Sequence, residues 1–350
     1  MPTVLFLGAG AHAPFCPDNT TLLSSFIKKY SVYEKTIEDA KEALNAFSIR
    51  IDLETVYTLL KAQSDVNQAI KVAGPWIAGL VKRANLPTAP TNLKDLLNSL
   101  ESYLIDIFYI EDPTKFVKIV AFYDKFRKEL DRVANRKGVF KDGRIGIPDV
   151  SKTPWHVFTT NYDNVIEIYA SERAIACNTG YKPETSNSEY YVFDENDFSN
   201  ATTPTGFPIN LYKLHGSVKL CKLKSGKITR PTSKFKKGDN LLGSEIVENV
   251  MIFPVQEKYV SKDPYHALDS LLRKQLTAND TNGCVVVGHS FNDEAILNAF
   301  TDSLRRNTRL RVLLLSRSQD DLVKKFPEKF RERIIQARSI VQQTGDISDS

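Results

Sequence analysis

The chain has 350 residues, 42% hydrophobic and 25% charged, the composition of a soluble globular protein long enough to bury a substantial core. A net charge of +5 is too mild to imply nucleic-acid binding, although a local basic patch can still matter. Cys16, Cys177, Cys221 and Cys284 lie far apart and form no C-x-x-C pair, which argues against a cysteine-based zinc site and for a reducing compartment. Met1-Pro2-Thr3 runs straight into a strand-like segment, and no apolar stretch is long enough to span a bilayer, so a cytoplasmic protein without a membrane contact is expected.

Val4-Leu5-Phe6-Leu7 predicts a buried first strand. It ends in Gly8-Ala9-Gly10-Ala11-His12-Ala13, a G-x-G-x-x-A turn whose glycines would let the backbone approach a pyrophosphate. Pro14 and Pro17 delay any following helix, and no second strand ends in the acidic residue that usually anchors a ribose. The motif alone therefore fits a nucleotide loop or a plain tight turn.

Residues 20–140 read as helical. Leu93, Leu96, Leu97, Leu100, Leu104, Ile105 and Phe108 repeat at helical spacing. Asp112-Pro113 is a good N-cap and first-turn pair for a helix carrying Phe116, Ile119, Val120, Tyr123, Phe126 and Leu130 on one face. A packing layer or a lid over a ligand site is expected from this module. The stretch 136–152, rich in glycine and proline, predicts a linker.

Trp155–Phe158 predicts the next strand, and Thr159-Thr160-Asn161-Tyr162-Asp163-Asn164 follows as a polar cluster before a helix at Val165. In open α/β sheets, ligands bind at the carboxyl ends of the strands. Asp163 and Asn164 are equally suited to cap that helix. Tyr190–Phe193 predicts a short strand. Leu211–Leu214 predicts another, ending in His215-Gly216-Ser217. Val218–Ile228 reads as a hairpin turning at Ser225-Gly226, inside a run from Lys219 to Lys237 with eight Lys or Arg and no acid. Such a run is usually a solvated loop. Without the aromatic interleaving that stacks bases, nucleic-acid contact is unsupported.

Met251–Phe253, followed by Pro254, reads as a further strand, and Tyr265–Leu276 as a helix. Cys284–Val287 predicts a strand ending in Gly288-His289-Ser290, with Asn292-Asp293 leading into a helix near Glu294. Leu310–Leu315 predicts the last, ending at Ser316. Ser318 with Asp320 and Asp321 predicts the start of a final helix, and the tail after Gln343 is polar. Apolar runs alternating with helices predict an α/β fold: a doubly wound, Rossmann-like parallel sheet of about six strands, with a large helical insertion after the first strand. The expected organisation is first strand and nucleotide loop (1–19), helical insertion (20–150), remainder of the sheet domain (151–317) with its basic hairpin (218–237), and C-terminal helix and tail (318–350). Parallel strands would bring Gly8-Ala9-Gly10, Thr160–Asp163, His215-Gly216 and Gly288-His289-Ser290 to one edge.

This set resembles the Sir2 (sirtuin-like) superfamily. Gly8-Ala9-Gly10 resembles its NAD loop, Thr160-Asn161-Tyr162-Asp163 its T-x-N-x-D segment, Lys213-Leu214-His215-Gly216 the segment of its catalytic histidine, and Gly288-His289-Ser290 its late G-x-S turn. The chain departs from deacylase sirtuins, which carry a four-cysteine zinc module after the histidine; here that region holds only Cys221. The zinc-free pattern and the helical insertion look more like bacterial and archaeal Sir2-like proteins of anti-phage defence. The resemblance implies NAD as a substrate cleaved to ADP-ribose and nicotinamide, with no zinc. It also implies self-assembly or a partner such as a HerA-type ATPase or an Argonaute-type protein.

By that resemblance, Asn161 and His215 are the expected catalytic residues, His215 as base and Asn161 orienting water and ribose across from it. Gly8, Ala9, Gly10, Ala11, Thr160, Asp163, Gly288, His289, Ser290 and Ser316 are the expected NAD-binding residues, with Asp163 suited to stabilise positive charge on the ribose. His12 and His289 taken alone read as structural. Two rival functions are an NAD-dependent deacylase and a non-catalytic NAD- or ADP-ribose-binding subunit.

Overall fold

Alternate residues of each apolar run go to opposite faces of one sheet, as the two-residue period of a strand requires. Leu5, Leu7, Trp155, Val157, Ile209 and Leu211 enter one core, and Val4, Phe6, Phe158, Tyr212, Val286 and Leu314 enter a second. The computed structural model describes residues 3–46 and 51–64 apart from Pro14, Asp18, Glu54 and Thr58, then 93–135, 154–199 apart from Asn187, 208–251, 264–316 and 319–336. The expected linker at 136–152, the expected Met251–Phe253 strand beyond Met251, the Ser318 cap and the polar tail lie outside the described residues.

The strands are β1 (Thr3–Leu7), β2 (Trp155–Thr159), β3 (Cys177–Asn178), β4 (Tyr181–Pro183), β5 (Tyr190–Phe193), β6 (Ile209–Lys213), β7 (Gly216–Leu223), β8 (Ile228–Thr229), β9 (Asn240–Leu241), β10 (Ser244–Met251), β11 (Gly283–Val287), β12 (Arg311–Leu315) and β13 (Ile334–Gln336). The helices are α1 (Asn19–Lys29), α2 (Glu34–Ala46), α3 (Leu93–Phe108), α4 (Pro113–Asn135), α5 (Val165–Glu172), α6 (Tyr265–Thr277), α7 (Glu294–Arg306) and α8 (Gln319–Lys324).

A seven-stranded sheet runs in the order β13-β12-β11-β1-β2-β6-β3, with every pair parallel. This is a Rossmann-like α/β sheet. Helices α3 and α5 bury their apolar faces in the first core; α6 and α7 bury theirs in the second. Helices α1 to α4 lie between β1 and β2 in the chain. Helix α4 starts as expected, with Asp112 Oδ1 accepting from the Thr114 amide at 2.9 Å.

A second sheet, in the order β4-β5-β8-β7-β10-β9, was not apparent in the periodicity. Its pairs are antiparallel. Several of its strands have two or three residues, too short to carry a pattern of their own. The expected hairpin is present as β7 and β8, turning at Gly226 with φ +84°. Its basic run is not simply solvated. Lys222 faces Glu248 and Lys224 faces Glu245 on β10, each at 3.7 Å, and Lys227 pairs with Glu184. Among the described residues, no helix is long and apolar enough to cross a membrane.

Candidate functional site

The sheet's connections diverge between β1 and β11: the chain leaves β1 toward β2 on one side and leaves β11 toward β12 on the other. That crevice is where ligands bind in doubly wound sheets. The turns after both strands lie against each other there. Gly8 donates to the Val287 carbonyl at 2.9 Å and Gly10 to the Gly288 carbonyl at 3.0 Å. A Cβ on Gly288, whose φ is +62°, would fall 2.2 Å from the Ala11 nitrogen. One on Gly8 would fall 2.6 Å from the His289 Cα. The glycines are thus required by the approach of one turn to the other.

Ala9–Ala11 forms a single 3₁₀ turn, with Ala11 donating to the Gly8 carbonyl at 2.9 Å. It leaves Gly10 exposed and Ala9 half-buried, sends Ala11 into the core, and aims His12 inward. His12 is 1% exposed. Its Nδ1 lies 2.7 and 2.9 Å from the two carboxylate oxygens of Asp163, and its Nε2 lies 2.6 Å from the Tyr123 hydroxyl on α4. Burial acts to raise the Asp163 pKa, but His12, Lys213 and the Val165 amide together hold it below the usual carboxylate range. An ionised Asp163 only accepts, so Nδ1 of His12 carries the proton between them, while Nε2 faces the Tyr123 hydroxyl. Burial keeps the Tyr123 hydroxyl protonated.

Asn161 sits in the same cluster. Its Nδ2 donates to the Gly8 carbonyl at 3.1 Å and lies 3.1 Å from Nδ1 of His12. Its amide donates to Thr159 Oγ1 at 3.0 Å, and that hydroxyl donates to the Leu7 carbonyl at 2.9 Å. The turn is therefore stitched to the end of β1 by the Thr159 and Asn161 side chains, which bond the Leu7 and Gly8 carbonyls. Capping of α5 is divided: Asp163 Oδ1 accepts from Val165 at 3.0 Å, whereas the Asn164 side chain bonds the Ile110 amide and carbonyl at 2.9 and 3.0 Å. Thr160 is half-buried beside this turn.

His215 occupies the tight turn between β6 and β7, forced by Gly216 at φ +89°, where a Cβ would lie 2.2 Å from the Val250 carbonyl oxygen. The imidazole is 5% exposed, and its Nε2 lies 3.2 Å from Asp293 Oδ2. Asp293 is also the N-cap of α7, its Oδ1 accepting from Ala295 and Ile296 at 2.9 and 3.2 Å. The ring of Tyr162 lies 6.3 Å from that of His215. Lys213, 8% exposed, bonds the Tyr162 and Asp163 carbonyls and pairs with Glu167 at 3.1 Å.

On the other turn, His289 packs edge-on against Phe6 and Phe291, each with centroids at 4.8 Å, and its Nδ1 accepts from the Phe291 amide at 3.0 Å. Burial pushes its pKa down to about 3, so the ring is neutral. Ser290 is exposed, and its carbonyl accepts from Lys325 at 2.9 Å; Ser316 is half-buried at the end of β12.

Asn161, Asp163 and the Gly8 turn are thus joined through His12, and His215 is joined to the Gly288 turn through Asp293. His12, structural when read from sequence alone, Tyr123, marked there only by its helix face, and Asp293, marked only as a lead into its helix, all join this network. The one sequence signal for His12 was its position directly after the glycine turn. Among the described residues, no group of three or more His, Cys, Asp or Glu could hold a metal ion. The four cysteines are free, Cys16 in the loop before α1 and Cys177, Cys221 and Cys284 on β3, β7 and β11. Burial raises each thiol, Cys221 to about 12, which keeps them protonated.

A family model described as a SIR2-like domain matches residues 156–340, just over half of the chain. It begins within β2, so the Gly8 turn stands outside the match. No curated protein matches the sequence.

Proposed function

Because the chain belongs to the SIR2-like family, we propose that it is an NAD+ glycohydrolase, releasing nicotinamide and ADP-ribose with water as the acceptor. The observation that carries this reading is the bond from Asn161 to the Gly8 carbonyl, which joins the polar turn after β2 to the glycine turn at the crevice of the sheet. Breaking the nicotinamide–ribose bond builds positive charge on the ribose, as in glycoside hydrolysis. Nicotinamide departs neutral from a cationic ring, so no general acid is required. The reaction needs a held ribose, an oriented water and a base.

In this reading Asn161 orients the water and the ribose hydroxyls. His215 is the base: with Nε2–H turned to Asp293, Nδ1 is the nitrogen that takes the water's proton. The ionised Asp163, held by His12, supplies negative potential to the developing cation. Gly8, Ala9, Gly10, Ala11, Thr160, Gly288, His289, Ser290 and Ser316 form the binding edge, some by backbone and some by side chain. The helices between β1 and β2 act as its cover, a role supported by the reach of Tyr123 to His12.

We further place the protein in an assembly acting in anti-phage defence by depleting NAD+, as a homo-oligomer or with a HerA-type ATPase or Argonaute-type partner. The support is the resemblance to zinc-free Sir2-like proteins, with Cys221 alone where deacylases carry four cysteines.

Purified protein incubated with NAD+, alone and with its neighbour-encoded partner, is expected to release nicotinamide and ADP-ribose. Asn161→Ala or His215→Ala is expected to abolish release while circular dichroism stays native. Release at the wild-type rate by both variants would remove the assigned roles. NAD-dependent deacylation of an acyl-lysine peptide would move the protein to the deacylases.

A further inference from the structure

A pocket of about 350 Å³ lies by the β3 edge of the parallel sheet, and none of its described lining residues comes from the Gly8 or Gly288 turns. Three cations line it, Lys213, Lys219 and Arg230, against one carboxylate, Glu167. Lys213 is satisfied by Glu167 Oε1 and by the Tyr162 and Asp163 carbonyls. The other two are not. Lys219 is half-buried with its ammonium 5.2 Å over the Tyr109 ring, and it has no carboxylate at ion-pair distance among the described residues. Burial lowers its pKa; Glu167 opposes this, and Arg230 and Lys213 add to it.

Arg230 is stacked 4.6 Å from the Tyr191 centroid and donates only from Nη2, to Thr179 Oγ1 and to the Tyr181 carbonyl. Its Nε and Nη1 hydrogens find no acceptor among the described residues. Glu167 presents the opposite deficit: its Oε2 is buried with no donor. The pocket thus combines unpaired cationic donors, one carboxylate oxygen without a donor, Glu167 Oε2, and an aromatic wall. A phosphomonoester bears nearly two negative charges at neutral pH and fits a guanidinium fork. A sugar hydroxyl is a donor of the kind that Glu167 lacks. The volume is at the lower end of the range for small-molecule sites, about 300–1,000 Å³.

We propose that this pocket binds a phosphorylated sugar or nucleoside, with its phosphate on Lys219 and Arg230 and a sugar hydroxyl on Glu167. The assignment rests on the pocket alone and is independent of the NAD+ chemistry proposed above. Calorimetric titration of the full chain with ribose 5-phosphate tests it, with ribose and inorganic phosphate as comparators. Ribose 5-phosphate is expected to bind, ribose not to, and inorganic phosphate to bind about tenfold more weakly or less. Lys219→Met and Arg230→Gln are each expected to weaken ribose 5-phosphate about tenfold or more. Lys219→Met keeps an apolar stem on the Tyr109 ring, so a folding defect is not the cause, and a native melting curve checks this. Asn161→Ala is expected to leave ribose 5-phosphate affinity unchanged. No binding by the wild type, undiminished binding by both cation variants, loss of binding in Asn161→Ala, or equal affinity for inorganic phosphate would each overturn the assignment.

Discussion

Asp163 and His12, 151 residues apart in the chain, meet at 2.7 Å with both side chains buried. This contact brings the turn after β2 to the turn after β1, and through Tyr123 it reaches α4. Removing one member of a buried hydrogen-bonded pair leaves the other without a partner, at a cost of about 3–5 kcal/mol. His12→Ala is therefore expected to destabilise the protein by that amount in urea unfolding. His12→Gln, which keeps a side-chain donor, is expected to cost clearly less. Equal stability of His12→Ala and wild type would show that the contact contributes nothing.

Asp293 divides its carboxylate between two tasks, one oxygen capping α7 and the other facing His215. Asn caps as well as Asp, so Asp293→Asn is expected to change stability by no more than about 1 kcal/mol. It withdraws the anion that orients His215, and NAD+ turnover is expected to fall by about ten- to a hundredfold. Steady-state kinetics beside a thermal melt separates the two effects. A large drop in stability with unchanged turnover would mean that Asp293 serves the helix alone.

Two glycines at positive φ give a paired test of the turn-to-turn contact. At Gly226 a Cβ meets nothing within 4 Å, so Gly226→Ala is expected to cost only the left-handed backbone penalty of about 1–2 kcal/mol. At Gly288 the same atom would meet the Ala11 nitrogen at 2.2 Å and the Gly10 carbonyl carbon at 2.3 Å. Gly288→Ala must push the two turns apart and is expected to cost well over 2 kcal/mol, with loss of turnover. Denaturant midpoints of the two variants make the comparison.

The pH dependence of stability follows from two histidines held neutral by burial. His289 has its folded pKa pushed to about 3 and His156 to about 4. The unfolded chain binds protons on these rings below about pH 6.5, while the folded chain does not. Their contribution is complete above that pH and is lost as pH falls toward 4. The expected slope is up to about 1.4 kcal/mol per pH unit for each ring. The Asp163 contribution adds to the loss at the acid end, being present above the ordinary carboxylate pKa and lost as pH falls through its depressed folded value. Urea unfolding at pH 7.5 and 5 is expected to show the decline, and His289→Asn to reduce it.

Much of the sheet was legible because its strands are buried on both faces and so are apolar along their whole length. Val4–Leu7, Trp155–Phe158, Leu211–Leu214, Cys284–Val287 and Leu310–Leu315 each correspond to a strand of the parallel sheet. The polar residues at their carboxyl ends share one edge because parallel pairing leaves no other arrangement. Strands β3, β4, β9 and β13 were not legible, since segments of two or three residues are set by their pairing partners and not by local preference.

The amino-acid order by itself determined the α/β alternation, the glycine turn, and the placing of Asn161, Asp163 and His215 at strand ends. Only the tertiary structure decided that His12 belongs with Asp163 and Tyr123, that Gly10 and Gly288 approach too closely for either to carry a side chain, and that His215 answers to Asp293. The reason is physical. Backbone periodicity is a local property that each segment carries alone. A buried imidazole instead takes its partner from whichever carboxylate the packed core brings within hydrogen-bonding distance, and that choice exists only once strands far apart in sequence have paired.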